Sequence, residues 1–235
     1  MDAAGYTTLN RQSGLMREMG VVANNIANAS TTGFRREGVV FSEFVAAMDQ
    51  DPSLSMAYAS GRHADLTQAT LGQTGGAYDL AIQGEGFFLI ETPDGERLTR
   101  AGAFTPSAAG ELVTPDGYRL LDAGGAPVFV PPDAKVAVAR DGTVSVGGGP
   151  IAQIGLWQPV DPLTLRHQSG TLFAAGELEP VEGAEVLQGM LEDSNVEPVS
   201  EIARMIEVQR AYEMGQKFLD AEDTRVRGVI QTLGR

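Results

Sequence analysis

Two histidines, one helix-borne serine and several close acid pairs are the residues of this chain that could carry catalysis. His63 and His167 have no metal-ligand neighbour at i+3, at i+4 or in an HxH spacing, so neither starts a metal site. Ser13 in "RQSGLM" does not fit G-x-S-x-G and sits in a helical pattern rather than after a strand. "GEG" at 84–86 lacks the spacing and the following helix of a dinucleotide loop. Glu91 with Asp94, and Glu177 with Glu179, are pairs that an acidic composition produces unaided, and no apolar pattern around them would raise a pKa. Cysteine is absent, which removes thiolate chemistry, disulfides and cysteine zinc sites together. The expectation is a protein that is not an enzyme, with no cofactor, no metal and no catalytic residue.

A different cluster is harder to dismiss. "ANNIANASTTGF" (23–34) closes a helical pattern with Asn24, Asn25 and Asn28, then Thr32-Gly33 and Phe34. Asparagine is a poor helix-interior residue because its amide competes for backbone groups. A helix-ending turn, with Gly33 at positive φ, accounts for Asn28 to Gly33. It does not account for Asn24 and Asn25, whose amides would be useful where another chain presses on that face.

The elements around this cluster follow from composition. Residues 46–190 hold 21 of the 29 glycines and 11 of the 12 prolines, so regular helices belong at the two ends. Stepping three and four residues from Ile202 gives Met205, Gln209, Tyr212, Gln216, Leu219, Asp223, Val226, Ile230 and Leu233, a heptad-like seam with polar interruptions. The N-terminal pattern runs through Leu9, Gln12, Met16, Met19, Ala23 and Ile26. Between the ends, Pro-Asp-Gly at 93–95 and 115–117 and Asp141-Gly142 mark turns between short apolar runs, and "PIAQIGLWQPV" (150–160) reads as one strand. The fold class expected is α+β: long N- and C-terminal helices forming a coiled-coil-like α domain, with a mainly antiparallel β central body. The divisions are an N-terminal helix and turn (1–45), an extended connector (46–77), a β-rich body (78–190) and a C-terminal helix (191–235).

The net charge of -14 sits mostly in the middle of the chain and repels phosphates, so no nucleic-acid partner is expected. No apolar run approaches the roughly 18 residues of a membrane span, so no direct membrane insertion is expected. "MDAAGYTTLNRQ" has no apolar h-region, so a cleaved secretory signal is not expected.

"VANNIANASTTGFRRE" (22–37) resembles the N-terminal signature of the bacterial flagellar basal-body rod family, which also includes hook and hook-associated subunits. The similarity continues through "DLAIQGEGFFLIETPDGERLTRAGAF" (79–104), "GELVTPDGYRLL" (110–121) and "GMLEDSNVEPVSEIARMIEVQRAYE" (189–213). The opening, the modest length and the compact middle are most similar to proximal-rod members of the F type. The alternatives are a distal-rod subunit and a secreted β-rich binding or adhesion module. The resemblance implies a structural subunit of the basal-body rod that polymerises through its terminal helices into a helical drive shaft for motility. It implies passage through the flagellar type III export apparatus, and itself and other rod proteins, proximal and distal, as partners. It also implies assembly contacts at Leu9, Met16, Met19, Ala23, Asn24, Asn25, Ile26, Asn28, Gly33, Phe34, Ile202, Met205, Gln209, Tyr212, Leu219, Val226, Ile230 and Leu233.

Overall fold

The computed structural model describes residues 3–46, 54–132 and 134–233, which separate into two compact units. The terminal unit gathers 1–27, 37–63 and 197–235; the β unit gathers 28–36 and 64–196.

The terminal unit holds helix α1 (Ala3–Ala27), strands β1 (Glu37–Ala46) and β2 (Leu54–Ala64, all but its last residue) and helix α2 (Pro198–Leu233). Proline at the first position of α2 lacks the N–H that would be unsatisfied there anyway, and Glu201 lies near the positive end of the helix dipole. β1 and β2 form a two-stranded sheet of their own. All of β2 lies in the stretch 46–77 expected as a connector; residues 47–53 fall outside the described residues.

This arrangement corrects the expected fold class. The ends do not make a coiled-coil-like α domain: two strands belong to the same unit, and α2 has 36 residues against 25 in α1. The face of α2 that is buried also differs from the heptad seam. Its buried residues are Glu201 and Val208, whereas Ile202 and Gln209 are exposed. An α-helix turns about 100° per residue, so a one-residue displacement moves a side chain most of the way from the seam to its flank. Met205, Tyr212 and Leu219 belong to both frames and are half-buried. The apolar 3-4 spacing in the sequence therefore combines a stripe facing α1 with a separate exposed stripe.

The β unit is built on a nine-stranded sheet. Its "FFLI" run lies in strand β5 (Phe87–Thr92), counted after β3 (Leu71–Gln73) and β4 (Leu80–Gln83). Alternate side chains of a strand point to opposite faces. Phe88 and Ile90 enter one core with Leu80, Ile82, Leu120 and Val128, while Phe87 and Leu89 enter another with Leu98, Leu121 and Phe173. A strand buried on both faces reads as a continuous apolar run, which is why this segment has no polar alternation. β5 pairs antiparallel with β6 (Gly95–Thr99) across Pro93 and Asp94, with Gly95 at φ 102°. It also pairs antiparallel with Arg119–Leu120 and with Leu156–Pro159.

Residues 150–160 are two strands rather than one. Gly149–Gln153 joins Thr143–Val146, and Leu156–Pro159 joins β5. The break is at Gly155, where a Cβ would lie 2.8 Å from Trp157 Nε1 and 3.0 Å from Ala123 Cα. Only a glycine lets the chain pass that closely.

Candidate subunit interface

The two helices of the terminal unit run antiparallel and are joined by polar contacts at three levels. Gln12 on α1 is buried; its Nε2 donates to the Tyr212 carbonyl at 3.2 Å, and its Oε1 accepts from Gln216 Nε2 at 2.9 Å. Glu18 on α1, also buried, takes the Arg204 guanidinium, whose Nε donates at 2.7 Å. The hydrogen bond to Glu18 raises the Arg204 pKa above its ordinary value. Arg204 is itself half exposed, so this pair adds under about 1 kcal/mol. Val21 and Val22 supply buried apolar surface between the second level and the third.

The third level answers the question that the asparagines raise. Asn25 is fully buried. Its Nδ2 donates to the Glu37 carbonyl at 2.8 Å and to Glu201 Oε2 at 3.1 Å, and its Oδ1 accepts from the Glu37 N–H at 2.9 Å. One amide therefore ties α1 to β1 and to α2. Asparagine fits because it offers two donors and an acceptor on a short stem. Asn24 donates to Glu37 Oε2 at 3.3 Å, and Arg62 lies 3.5 Å from the same oxygen. Glu37, only 2 % exposed, thus receives an amide and a guanidinium.

Residues 28–36 belong to the β unit. Thr31 caps the turn by donating its N–H and its hydroxyl to the carbonyl and Oδ1 of Asn28. Gly33 has φ +70°, and a Cβ there would lie 2.4 Å from the Ala101 backbone nitrogen, so this position accepts only glycine. Phe34 is fully buried and meets the His167 ring edge-on at 5.9 Å. Arg35 is buried beside it, its Nη2 2.8 Å from Glu192 Oε1, while Arg100 Nη1 lies 3.6 Å from Glu192 Oε2. Two buried guanidinium groups thus share one carboxylate. Burial pushes the Arg100 pKa down to about 10, partly offset by Glu192.

The expected contact residues fall into two sets. Asn25, Gly33 and Phe34 are buried within the chain, and Asn24, Asn28, Met19, Ile26, Met205, Tyr212 and Leu219 are half-buried. Asn25 and Phe34, expected at a contact with a neighbouring subunit, find the hydrogen-bond and ring partners given above within their own chain. Leu9, Met16, Ala23, Ile202, Gln209, Val226, Ile230 and Leu233 are exposed. Sequence reading missed Glu18, Arg204, Glu37, Glu201, Arg35, Arg100 and Glu192, none of which stands out by local pattern. It also missed the exposed Val199, Ile206, Met214, Phe218 and Val229 on α2. Among the described residues no group of three or more His, Asp or Glu is placed to hold a metal ion, and no helix is long and apolar enough to cross a membrane.

Three family models match the chain: flagella basal body rod protein at residues 6–35, the D1 domain of flagellar hook protein FlgE/F/G at 81–146, and the C-terminal region of flagellar basal body rod FlgEFG protein at 187–232. The flagellar basal-body rod protein FlgF of Caulobacter vibrioides is 41% identical over 100% of this chain and 99% of its own length. FlgF of Rhizobium meliloti is 36% identical over the same shares. FlgG of Bacillus subtilis is 31% identical over 93% of this chain and 94% of its own. The matched segments include the asparagine cluster, the first half of the β unit and nearly all of α2. The chain belongs to the flagellar basal-body rod family, and within it to the F type.

Proposed function

We propose that this chain is a structural subunit of the proximal rod of the bacterial flagellum, that it serves flagellar assembly and motility, and that its terminal unit makes the contacts that build the rod. The observation that carries this reading is the apolar surface left open on α2 of a chain that matches FlgF proteins from end to end. Val199, Ile202 and Ile206 are exposed in the first turns of α2, and Val226, Ile230 and Leu233 are exposed at its far end. Exposed apolar residues repeated at helical spacing along one element are the mark of a contact surface. A subunit with such patches at both ends of α2 has more than one neighbour.

The partners are other rod components, the location is the flagellar basal body, and the route is the flagellar type III export apparatus without removal of a signal peptide. The polar rungs between α1 and α2 suit a helix pair that must open for passage and close again, since a polar seam loses less than an apolar one on meeting water.

The test is a strain lacking the chromosomal copy, complemented with the full chain carrying a small epitope. Swimming returns, and the tagged chain co-purifies with intact basal bodies. A chain that restores swimming but is absent from purified basal bodies refutes a structural role in the rod.

A further inference from the structure

Three stretches of the β unit border a cavity of about 670 Å³: residues 66–68, the turn 84–86 between β4 and β5, and residues 158–162. The 66–68 side is fixed in place. Gln68 Nε2 donates to the Ile82 carbonyl at 2.8 Å, and its Oε1 accepts from the Gly84 N–H at 3.1 Å. Asn195 Nδ2 donates to the carbonyls of Asp65 and Thr67. The cavity is thus formed before anything enters it, and its volume lies within the range of ligand clefts, about 300–1,000 Å³.

The lining is graded by depth. Phe87, Pro159 and Arg100 are buried, and Leu66, Glu85, Val160 and Glu179 stand exposed around them. Arg100 is 3 % exposed, and its guanidinium carbon lies 5.6 Å from the centre of the Phe87 ring. Its Nη1 and Nη2 donate to the Ile82 and Gly84 carbonyls at 3.4 and 2.6 Å, but its Nε has no hydrogen-bond partner among the described residues. Counter-charge is short as well. Glu192 Oε1 is taken by Arg35 at 2.8 Å and by the Ala69 N–H at 2.9 Å, which leaves Arg100 at 3.6 Å from Oε2. A buried cation with an idle donor and a shared carboxylate costs free energy unless another group completes it.

An anion entering the cavity would complete it, and the exposed acids select which anion. Glu85 and Glu179 repel a compact dianion such as phosphate and accept N–H groups instead. A carboxylate carries a single charge and matches the edge of a guanidinium. Leu66, Phe87 and Val160 require an apolar body behind that carboxylate. The volume is roughly twenty times the share of one water in the liquid, room for more than one residue. Independently of the rod-subunit reading, we propose that this cavity holds the C-terminal end of a short peptide with an apolar last residue. The terminal carboxylate meets Arg100, the last side chain packs on Phe87 and Val160, and the peptide N–H groups turn toward Glu85 and Glu179. Gln158 Nε2 holds Glu179 in position by donating to its Oε1 at 2.8 Å.

The test is a titration of the isotope-labelled full chain, followed by NMR at the Arg100 Nε–H and at the amides of Gly84 and Gly86. The probes are acetyl-Ala-Leu as its free acid, the same dipeptide as its amide, free leucine and inorganic phosphate. The acid should shift these signals saturably and bind about ten-fold or more tightly than the amide, because the charged hydrogen bond is lost with the carboxylate. Leucine should bind more weakly than the dipeptide acid. Val160→Glu, at an exposed position that the core does not depend on, should abolish the shifts by adding an acid at the mouth. Equal binding of acid and amide overturns the contact with Arg100. Leucine binding as tightly as the dipeptide overturns the peptide end in favour of a free amino acid, and shifts produced by phosphate alone overturn it in favour of a simple anion site. Shifts that persist in Val160→Glu put the peptide elsewhere on the chain, and no saturation up to about 10 mM acid overturns the site itself. None of these results bears on purified basal bodies, so the rod-subunit reading stands or falls separately.

Discussion

Replacing Asn25 by alanine should remove a large part of the stability of the terminal unit. The substitution removes three hydrogen bonds, at 2.8, 2.9 and 3.1 Å, all inside the protein. Two are amide-to-peptide bonds, each contributing about 1 kcal/mol net, and one goes to the Glu201 carboxylate, contributing about 1.5–3 kcal/mol. Their loss also withdraws a partner from groups at Glu37 and Glu201, which are almost fully buried, and water does not reach there to replace it. The expected cost is about 3–5 kcal/mol, against about 5–15 kcal/mol for a whole domain. The assay is urea unfolding followed by circular dichroism at 222 nm, which reports α1 and α2. With a slope of about 2 kcal/mol per molar urea, the midpoint falls by about 1.5–2.5 M. Amide hydrogen exchange at residues 18–27 and 198–208 should accelerate with it. Asn25→Asp is the companion variant, since it keeps an acceptor for the Glu37 N–H but sets a new carboxylate beside Glu201. Its folded pKa would be raised, so its contribution fades as pH rises through that value, and it recovers stability as pH is lowered. A midpoint shift below about 0.5 M for Asn25→Ala would refute the view that this amide joins three elements.

Two further predictions concern the β unit. Glu192→Gln leaves the buried Arg35 and Arg100 without their shared carboxylate, and removing one partner of a buried ion pair costs about 3–5 kcal/mol; thermal unfolding of the variant measures it, and a transition unchanged from the parent would contradict the assigned burial. The Asp65 carboxyl is held below its ordinary value of 3.8 by the hydroxyl and then the N–H of Thr67. A depressed folded pKa gives stability that is complete above the unfolded value and lost as pH falls through the folded one. Denaturation curves between pH 5 and pH 2 should therefore converge for Asp65→Asn and the parent at the acid end.

The local elements of this chain are legible without its structure. Ends that hold one proline between them, at the first position of α2, and apolar residues every three or four positions become α1 and α2, Pro-Asp-Gly at 93–95 becomes the turn between β5 and β6, and "FFLI" becomes a strand buried on both faces. Each depends on neighbours a few residues apart, which is the range over which backbone preference and side-chain period act. The strand character of 54–64 escaped because its Gly, Ser and Ala residues carry little period-2 contrast.

Rotation and partnership were decided only by tertiary structure. Periodicity shows that residues 198–233 form a helix, but Glu201 rather than Ile202 faces α1, because the amide of Asn25 waits there 176 residues away in sequence. The same holds for Phe34 and Arg35, whose buried sites are made by His167 and Glu192. A sequence displays the spacing of its apolar side chains along one element. It does not display which distant polar group will satisfy a buried amide or carboxylate, and here those satisfactions, more than the apolar pattern, set which face of each helix turns inward.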